Sequence, residues 1–222
     1  MTEISCAESN NSSTWGLVDL VAWKIVPRRF GGGIPYIQKF KDAWVRHNKD
    51  LIKRAATKQN IPPELLAGVC WIEVGGDPNF IDRVAFETRS FDWSGPDWVD
   101  RNLTITKNPV KTSFGSVSMQ LGTAAHTLGI DPSTLSASQV RGLANCLEKD
   151  AFNINIVAKH LRQLIDHDNL QGNLPLLTMD EIRIVGARYN RGIGLSLENI
   201  KKNTRYGDFI VKFWPRFTNL LQ

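Results

Sequence analysis

From Leu65 to Ile72 the chain reads LLAGVCWI, in which every position is apolar or glycine. Pro62 and Pro63 precede the run, Glu64 falls in its first turn, and Gly75-Gly76 close it. Prolines suit the opening positions of a helix, an acidic side chain suits its N-terminal turn, and glycine suits its end. This apolar helix, bounded at both ends, points to a helical body. It also isolates Glu73, the one carboxylate at its C-terminal end.

The remaining pattern agrees with a mainly α fold. Ile37, Phe40, Trp44, Leu51, Ile52, Ala55 and Ala56 recur at roughly helical spacing, which predicts one long helix over 36–60 whose Lys and Arg form a solvated face. Further helices are predicted over 15–26, 117–130, 136–167 (as two), 178–190 and 206–221, with DPST (131–134) and TMDE (178–181) as starts. Residues 77–112 differ. They are rich in Asp, aromatics and turn formers and show no sustained period. A connection of this length inside a domain is more often functional than idle, and 101–108 suits a short strand or hairpin. Residues 1–14 are polar and expected to be disordered. The expected organisation is an N-terminal segment, 1–35, with a short helix that packs onto a main domain, 36–222. The main domain carries a small irregular or β-hairpin insertion after the helix that bears Glu73.

Composition narrows the partners. With 222 residues, 42% hydrophobic and 22% charged, the chain suits one globular domain. Its net charge of +5 is compatible with nucleic acid, anionic lipid or an anionic wall polymer. No RNP, zinc-finger or Gly-rich phosphate motif is present, so nucleic acid is not an expected partner. The apolar stretch 15–26 is broken by Asp19 and Lys24 and is too short to span a bilayer, so no stable membrane insertion is expected. The N-terminus lacks the basic region of an export signal, which predicts synthesis in the cytoplasm without a signal peptide. Cys6, Cys70 and Cys146 form no CxxC pair. Three such cysteines argue against a disulfide framework and against a zinc site, and Cys70 reads as a core thiol. His160 and His167 are too loosely spaced to make a convincing metal pair. Neither metal nor cofactor is expected.

Two effects act on Glu73. A helix C-terminus is the negative end of the macrodipole, and Val69, Cys70, Ile72 and Val74 would desolvate the carboxyl if packed around it. Both disfavour ionisation and predict a raised pKa. A carboxylic acid kept protonated near neutral pH can serve as a general acid.

Three segments resemble the lysozyme-like superfamily of lytic transglycosylases and goose-type lysozymes, and they do so in the family's order. WIEVGGDPNF resembles the helix end I-x-x-E-S-G-x-x-P that bears the family's catalytic glutamate. SFGSVSMQLGTAAHTLGI resembles G-L-M-Q-I-x-P-x-T-A-x-x-L-G, and GARYNRGIG resembles A-A-Y-N-A-G-x-G. The resemblance covers residues 50 to about 195. It implies Glu73 as the catalytic acid, Met119 and Gln120 as the pair beside the cleft, and Tyr189 and Asn190 as the Tyr-Asn pair. The chain departs from the pattern at Val74, where the family has serine. It departs again at Val117, where the family has glycine unless Gly115 serves. The acidic insertion between the first two motifs is a third departure.

Cleaving a glycosidic bond needs an acid on the leaving oxygen and a second group for the oxocarbenium-like centre, and many glycosidases use a second carboxylate. The insertion offers Asp82, Glu87, Asp92, Asp97 and Asp100. Asp92 and Asp97, interleaved with Trp93 and Trp98, are the candidates, and the tryptophans are candidate walls for sugar rings. The resemblance also implies an alternative, attack by the sugar's own C6 hydroxyl with one glutamate. By either route, the resemblance implies cleavage of the β-1,4 bond between N-acetylmuramic acid and N-acetylglucosamine in peptidoglycan. An enzyme of this kind without a leader is expected to be exported into the periplasm of a target bacterium. It would act there as an antibacterial toxin such as a type VI secretion effector, with a cognate immunity protein that plugs the cleft. A phage endolysin or tail muramidase is the alternative setting. An inactive wall-binding or protein-binding module is the alternative of another class.

Overall fold

The computed structural model describes residues 6, 15–75, 112–170 and 174–222. Among them the fold is mainly α, with eleven α-helices and one small antiparallel hairpin. Residues 1–40 and 73–153 form one compact unit, and 41–72 with 154–222 form another. The expected disorder of 1–14, except at Cys6, and the expected strand at 101–108 lie outside the described residues.

In the first unit, α1 (Leu17–Lys24) begins after Gly16, whose N–H donates to Asp19 Oδ2 at 2.9 Å. The Tyr36 hydroxyl donates to the other Asp19 oxygen at 2.8 Å. The segment packs on its unit through Trp15, which is buried with its ring 4.8 Å from Phe40 and 6.1 Å from both Trp23 and Tyr36. Helix α1 itself has no buried residue. Strands β1 (Ser113–Phe114) and β2 (Met119–Gln120) pair with Ser113 opposite Gln120 and Phe114 opposite Met119. Helices α5 (Leu121–Leu128) and α6 (Ala137–Leu147) follow. The Ser136–Gln139 capping box starts α6.

In the second unit, α3 (Lys49–Gln59) leads to the body of α4 (Pro63–Glu73), which is buried from Leu65 to Trp71. The later elements are the C-terminal part of α7 (Asp150–His167), then α8 (Met179–Arg191), α9 (Leu197–Lys201), α10 (Arg205–Lys212) and α11 (Trp214–Leu221). Thr178 and Glu181 form the capping box of α8, as TMDE predicts. Helices α8 and α10 meet backbone to backbone. A Cβ on Gly207 would lie 2.1 Å from the Arg183 carbonyl oxygen, and one on Gly186 would lie 2.7 Å from Gly207 Cα. Only glycine permits this approach.

Several expectations change. The predicted helix 36–60 is two helices, α2 (Ile34–His47) and α3, divided at Asn48. Asn48 turns its amide back onto the Trp44 carbonyl at 3.2 Å, and such a local bond competes with helix propagation. The predicted helix 206–221 also divides, at Phe213. Pro215 lies in the first turn of α11, where its missing N–H is harmless, whereas in a continuous helix it would break a hydrogen bond. The predicted helix 117–130 starts only at Leu121, because Met119 and Gln120 pair with β1. DPST starts a single 3₁₀ turn, Pro132–Thr134, with Asp131 accepting from the Ser133 N–H. Cys6 and Cys146 form a disulfide across 140 residues, where the sequence argues against a disulfide framework. The odd count hid one pair plus Cys70, a buried thiol in α4 as expected.

Candidate functional site

In the first unit Glu73 is the last residue of α4 and is half-buried. Val74 behind it is buried, and Gly75 turns the chain out of the helix at φ 79°. A Cβ on Gly75 would touch the Trp15 ring at 3.6 Å and Ile37 at 3.7 Å. Trp15 therefore covers the helix stop that follows Glu73. Sequence reading missed this role; the available signal was a tryptophan at the edge of an otherwise polar N-terminal segment.

The hairpin in the same unit presents two candidate residues in opposite ways. Met119 is buried opposite Phe114, whereas Gln120 is exposed and occupies the N-cap position of α5 without a side-chain cap bond. The turn between the strands has Gly115 at φ 79°, and a Cβ there would lie 2.1 Å from the Leu147 carbonyl oxygen. Only glycine therefore fits at position 115, and Val117 is a core residue. Two bonds hold the turn to the start of α7. Ser116 Oγ donates to Asp150 Oδ1 at 2.7 Å, and the Val117 N–H donates to Asn153 Oδ1 at 2.8 Å.

In the second unit, a clamp holds the last turn of α4. The buried Lys41 ammonium donates to the Trp71 carbonyl at 2.9 Å and to the Ile72 carbonyl at 2.6 Å. These are the carbonyls of the two residues before Glu73. Lys41 was expected on a solvated face. It instead puts a positive charge on the negative end of the α4 dipole. The Trp71 indole N–H donates to Asp42 at 2.8 Å, and Asp42 takes a two-pronged bond from Arg216 at 3.0 and 2.7 Å. Phe209 and Phe213 stack along the Trp71 ring, with centroids 5.5 and 6.5 Å away.

Tyr189 and Asn190 lie near the C-terminus of α8. Asn190 is exposed and Tyr189 half-buried, its ring between those of His160 at 5.8 Å and Tyr206 at 5.9 Å. Just before them Arg188 is buried and paired with Asp168. Among the described residues no group of three or more His, Cys, Asp or Glu is placed to hold a metal ion. Asp92, Trp93, Asp97 and Trp98 lie outside the described residues.

Burial pushes the His160 pKa from 6.5 down to about 4, against a side-chain hydrogen bond with Gln163 that acts to raise it. The folded protein keeps this ring neutral where the unfolded chain protonates it. Stability contributed by His160 is therefore complete above about pH 6.5 and lost as pH falls through the window down to about 4. The expected loss is about 3 kcal/mol from neutral pH to the lower end. Urea unfolding across that range should show the slope, and His160→Gln should flatten it; an unchanged slope would assign it to other groups.

No family model, curated protein or solved structure matches the chain.

Proposed function

We propose that the chain cuts peptidoglycan glycan strands at the N-acetylmuramic acid–N-acetylglucosamine β-1,4 bond, with Glu73 as general acid, as an exported antibacterial toxin. The observation that carries this reading is the setting of Glu73. It is a half-buried carboxyl at the end of an apolar helix, and Lys41 and Asp42 fix the last turn of that helix. A general acid must be held in place to protonate a leaving oxygen. The ordered resemblance of the three motifs to lysozyme-like enzymes supports the same role, with Gln120, Tyr189 and Asn190 as substrate-binding residues and Met119 as packing beneath Gln120. The Cys6–Cys146 disulfide supports action in an oxidising compartment such as a periplasm. A producer whose siblings deliver such an enzyme into its own periplasm needs an inhibitor protein there.

The reaction is taken as hydrolysis, with water attacking the anomeric carbon while Glu73 gives its proton to the departing oxygen and a second carboxylate, for which Asp92 and Asp97 are the candidates, takes the proton that the water loses. Digestion of purified sacculi followed by mass spectrometry of the fragments tests both levels of the reading. New reducing ends are expected. A pool dominated by 1,6-anhydromuramic ends would move the attack to the substrate's own C6 hydroxyl, and intact sacculi would remove the enzymatic reading altogether.

A further inference from the structure

Helix α1 has two apolar sides, and only one has a use inside its unit. At about 100° per residue, Leu17, Val18, Val21 and Ile25 share an arc of roughly 100° on one side of the helix axis. Leu20 and Trp23 point elsewhere, and the Trp23 ring packs beside Trp15. All four residues of the arc are exposed, Val18 at 79% and Ile25 at 72%. Phe30 and Ile34, in the turn and helix start that follow, are exposed too. Six of the nine exposed large hydrophobic residues described thus fall in one stretch, 17–34. Singly exposed aliphatics need no explanation, but a concentration of this kind marks an interaction surface.

The charges in the stretch indicate what covers it. Lys24, Arg28 and Arg29 are all exposed. Arg29 lies over the exposed Phe30 ring at 4.9 Å, and Lys24, next to the arc, lies over the Trp23 ring at 3.8 Å, so the cations border the apolar groups. Asp19 is the sole carboxylate between Trp15 and Lys41. Its two oxygens are occupied by the Gly16 N–H and the Tyr36 hydroxyl. The stretch offers aliphatic side chains, an aromatic ring and three cations, with no free carboxylate among its own residues. A symmetric contact with a second copy would set these cations against each other. Aliphatic and aromatic groups bordered by Lys and Arg match the interfacial layer of an anionic bilayer, where side chains enter the acyl boundary and cations meet phosphates.

We infer that the 17–34 face docks peripherally on anionic lipid bilayers, without spanning them. No helix among the described residues is long and apolar enough to cross a membrane. The proposal does not depend on glycan cleavage and is tested where no wall is present. The full chain is floated with vesicles of phosphatidylcholine alone and with vesicles that also contain phosphatidylglycerol, at low and high salt. At about a factor of five in affinity per cation near an anionic surface, three cations give an expected preference on the order of a hundredfold for the anionic vesicles, weakened by salt. Val18→Asp and Ile25→Asp should each reduce binding by at least about tenfold, since each removes an inserted aliphatic group and adds a repelled charge. Both positions are exposed, so circular dichroism and the melting temperature should match the parent. Replacing Lys24, Arg28 and Arg29 together with Gln should erase the anionic preference without changing the fold. The inference is overturned by no binding to phosphatidylglycerol vesicles, by equal binding to both vesicle types, or by binding that ignores these variants. A dimer that Val18→Asp dissolves, in the absence of vesicle binding, would likewise overturn it and assign the face to contact between copies.

Discussion

Glu73→Gln is expected to slow wall lysis by about a hundredfold or more while the protein stays folded. Glutamine keeps the length and hydrogen-bonding capacity of the side chain at the end of α4 but has no acid proton to give. The effect on the barrier is about 2.7 kcal/mol per hundredfold. Groups other than Glu73 itself fix the last turn of α4. Lys41 holds the Trp71 and Ile72 carbonyls, and Asp42 holds the indole of Trp71. The substitution leaves all of these in place, so the far-ultraviolet spectrum and the thermal transition should change little. Clearing of purified sacculi by the two proteins, at equal concentration and with matched melting curves, is the measurement. A Gln variant that clears sacculi at near the parent's speed would show that Glu73 is not the acid. Lys41→Met gives a further reading of the same site. It removes the two hydrogen bonds that hold the Trp71 and Ile72 carbonyls, so the rate of lysis should fall if that turn must be held for Glu73 to act as proposed.

The sequence made the course of α4 legible because its signals are local. The prolines at its start, the apolar run and Gly75 at its end are all within a few positions of one another, and the Thr178–Glu181 cap of α8 is equally compact. What was not legible depends on partners distant in the chain. Lys41 looks like any other lysine of a solvated face until the carbonyls of α4, 30 residues on, are brought to it. Cys6 gives no sign that it pairs across 140 residues. The break at Asn48 is hidden because the helical spacing of apolar residues continues on both sides, and one side-chain bond to the Trp44 carbonyl decides it. Strand β2 is two residues long, too short for any alternation to register, and it exists because Gly115 can turn where a Cβ would strike the Leu147 carbonyl. Of the candidate site, Glu73, Met119 and Gln120 fall in one unit and Tyr189 and Asn190 in the other. The motif resemblance singled out these positions, but it carried no information on the packing of Trp15 against Gly75 or on the Lys41 bonds to the Trp71 and Ile72 carbonyls.

Arg188→Met should destabilise the fold by about 3–5 kcal/mol, the range expected when one partner of a buried ion pair is removed. The Arg188 side chain is 1% exposed and that of Asp168 4%. The guanidinium meets the carboxylate two-pronged, Nε to Oδ2 at 2.9 Å and Nη2 to Oδ1 at 2.7 Å. Its remaining nitrogen donates to the carbonyls of Leu195 at 2.6 Å and Gly192 at 3.3 Å. Methionine fills much of the volume but leaves a buried carboxylate and two carbonyls without these donors, and that loss sets the size of the effect. The acid side should show the same pair. Burial acts to raise the Asp168 pKa, but hydrogen bonds and charge from Arg188 and His167 outweigh it and hold the group below its ordinary 3.8. The stability it contributes is therefore present above that value and lost as pH falls through the lower, folded-state value. Urea unfolding of the variant and its parent measures the difference, and a loss under about 1 kcal/mol would show that water already reaches the pair. Arg188→Met combined with Asp168→Leu separates charge from packing, because replacing both ions with apolar groups is often near neutral. If the double variant recovers stability while lysis stays impaired, the pair's role is positional. It would then act by tying the 192–195 turn to the end of α8, where Tyr189 and Asn190, the proposed substrate-binding residues, lie.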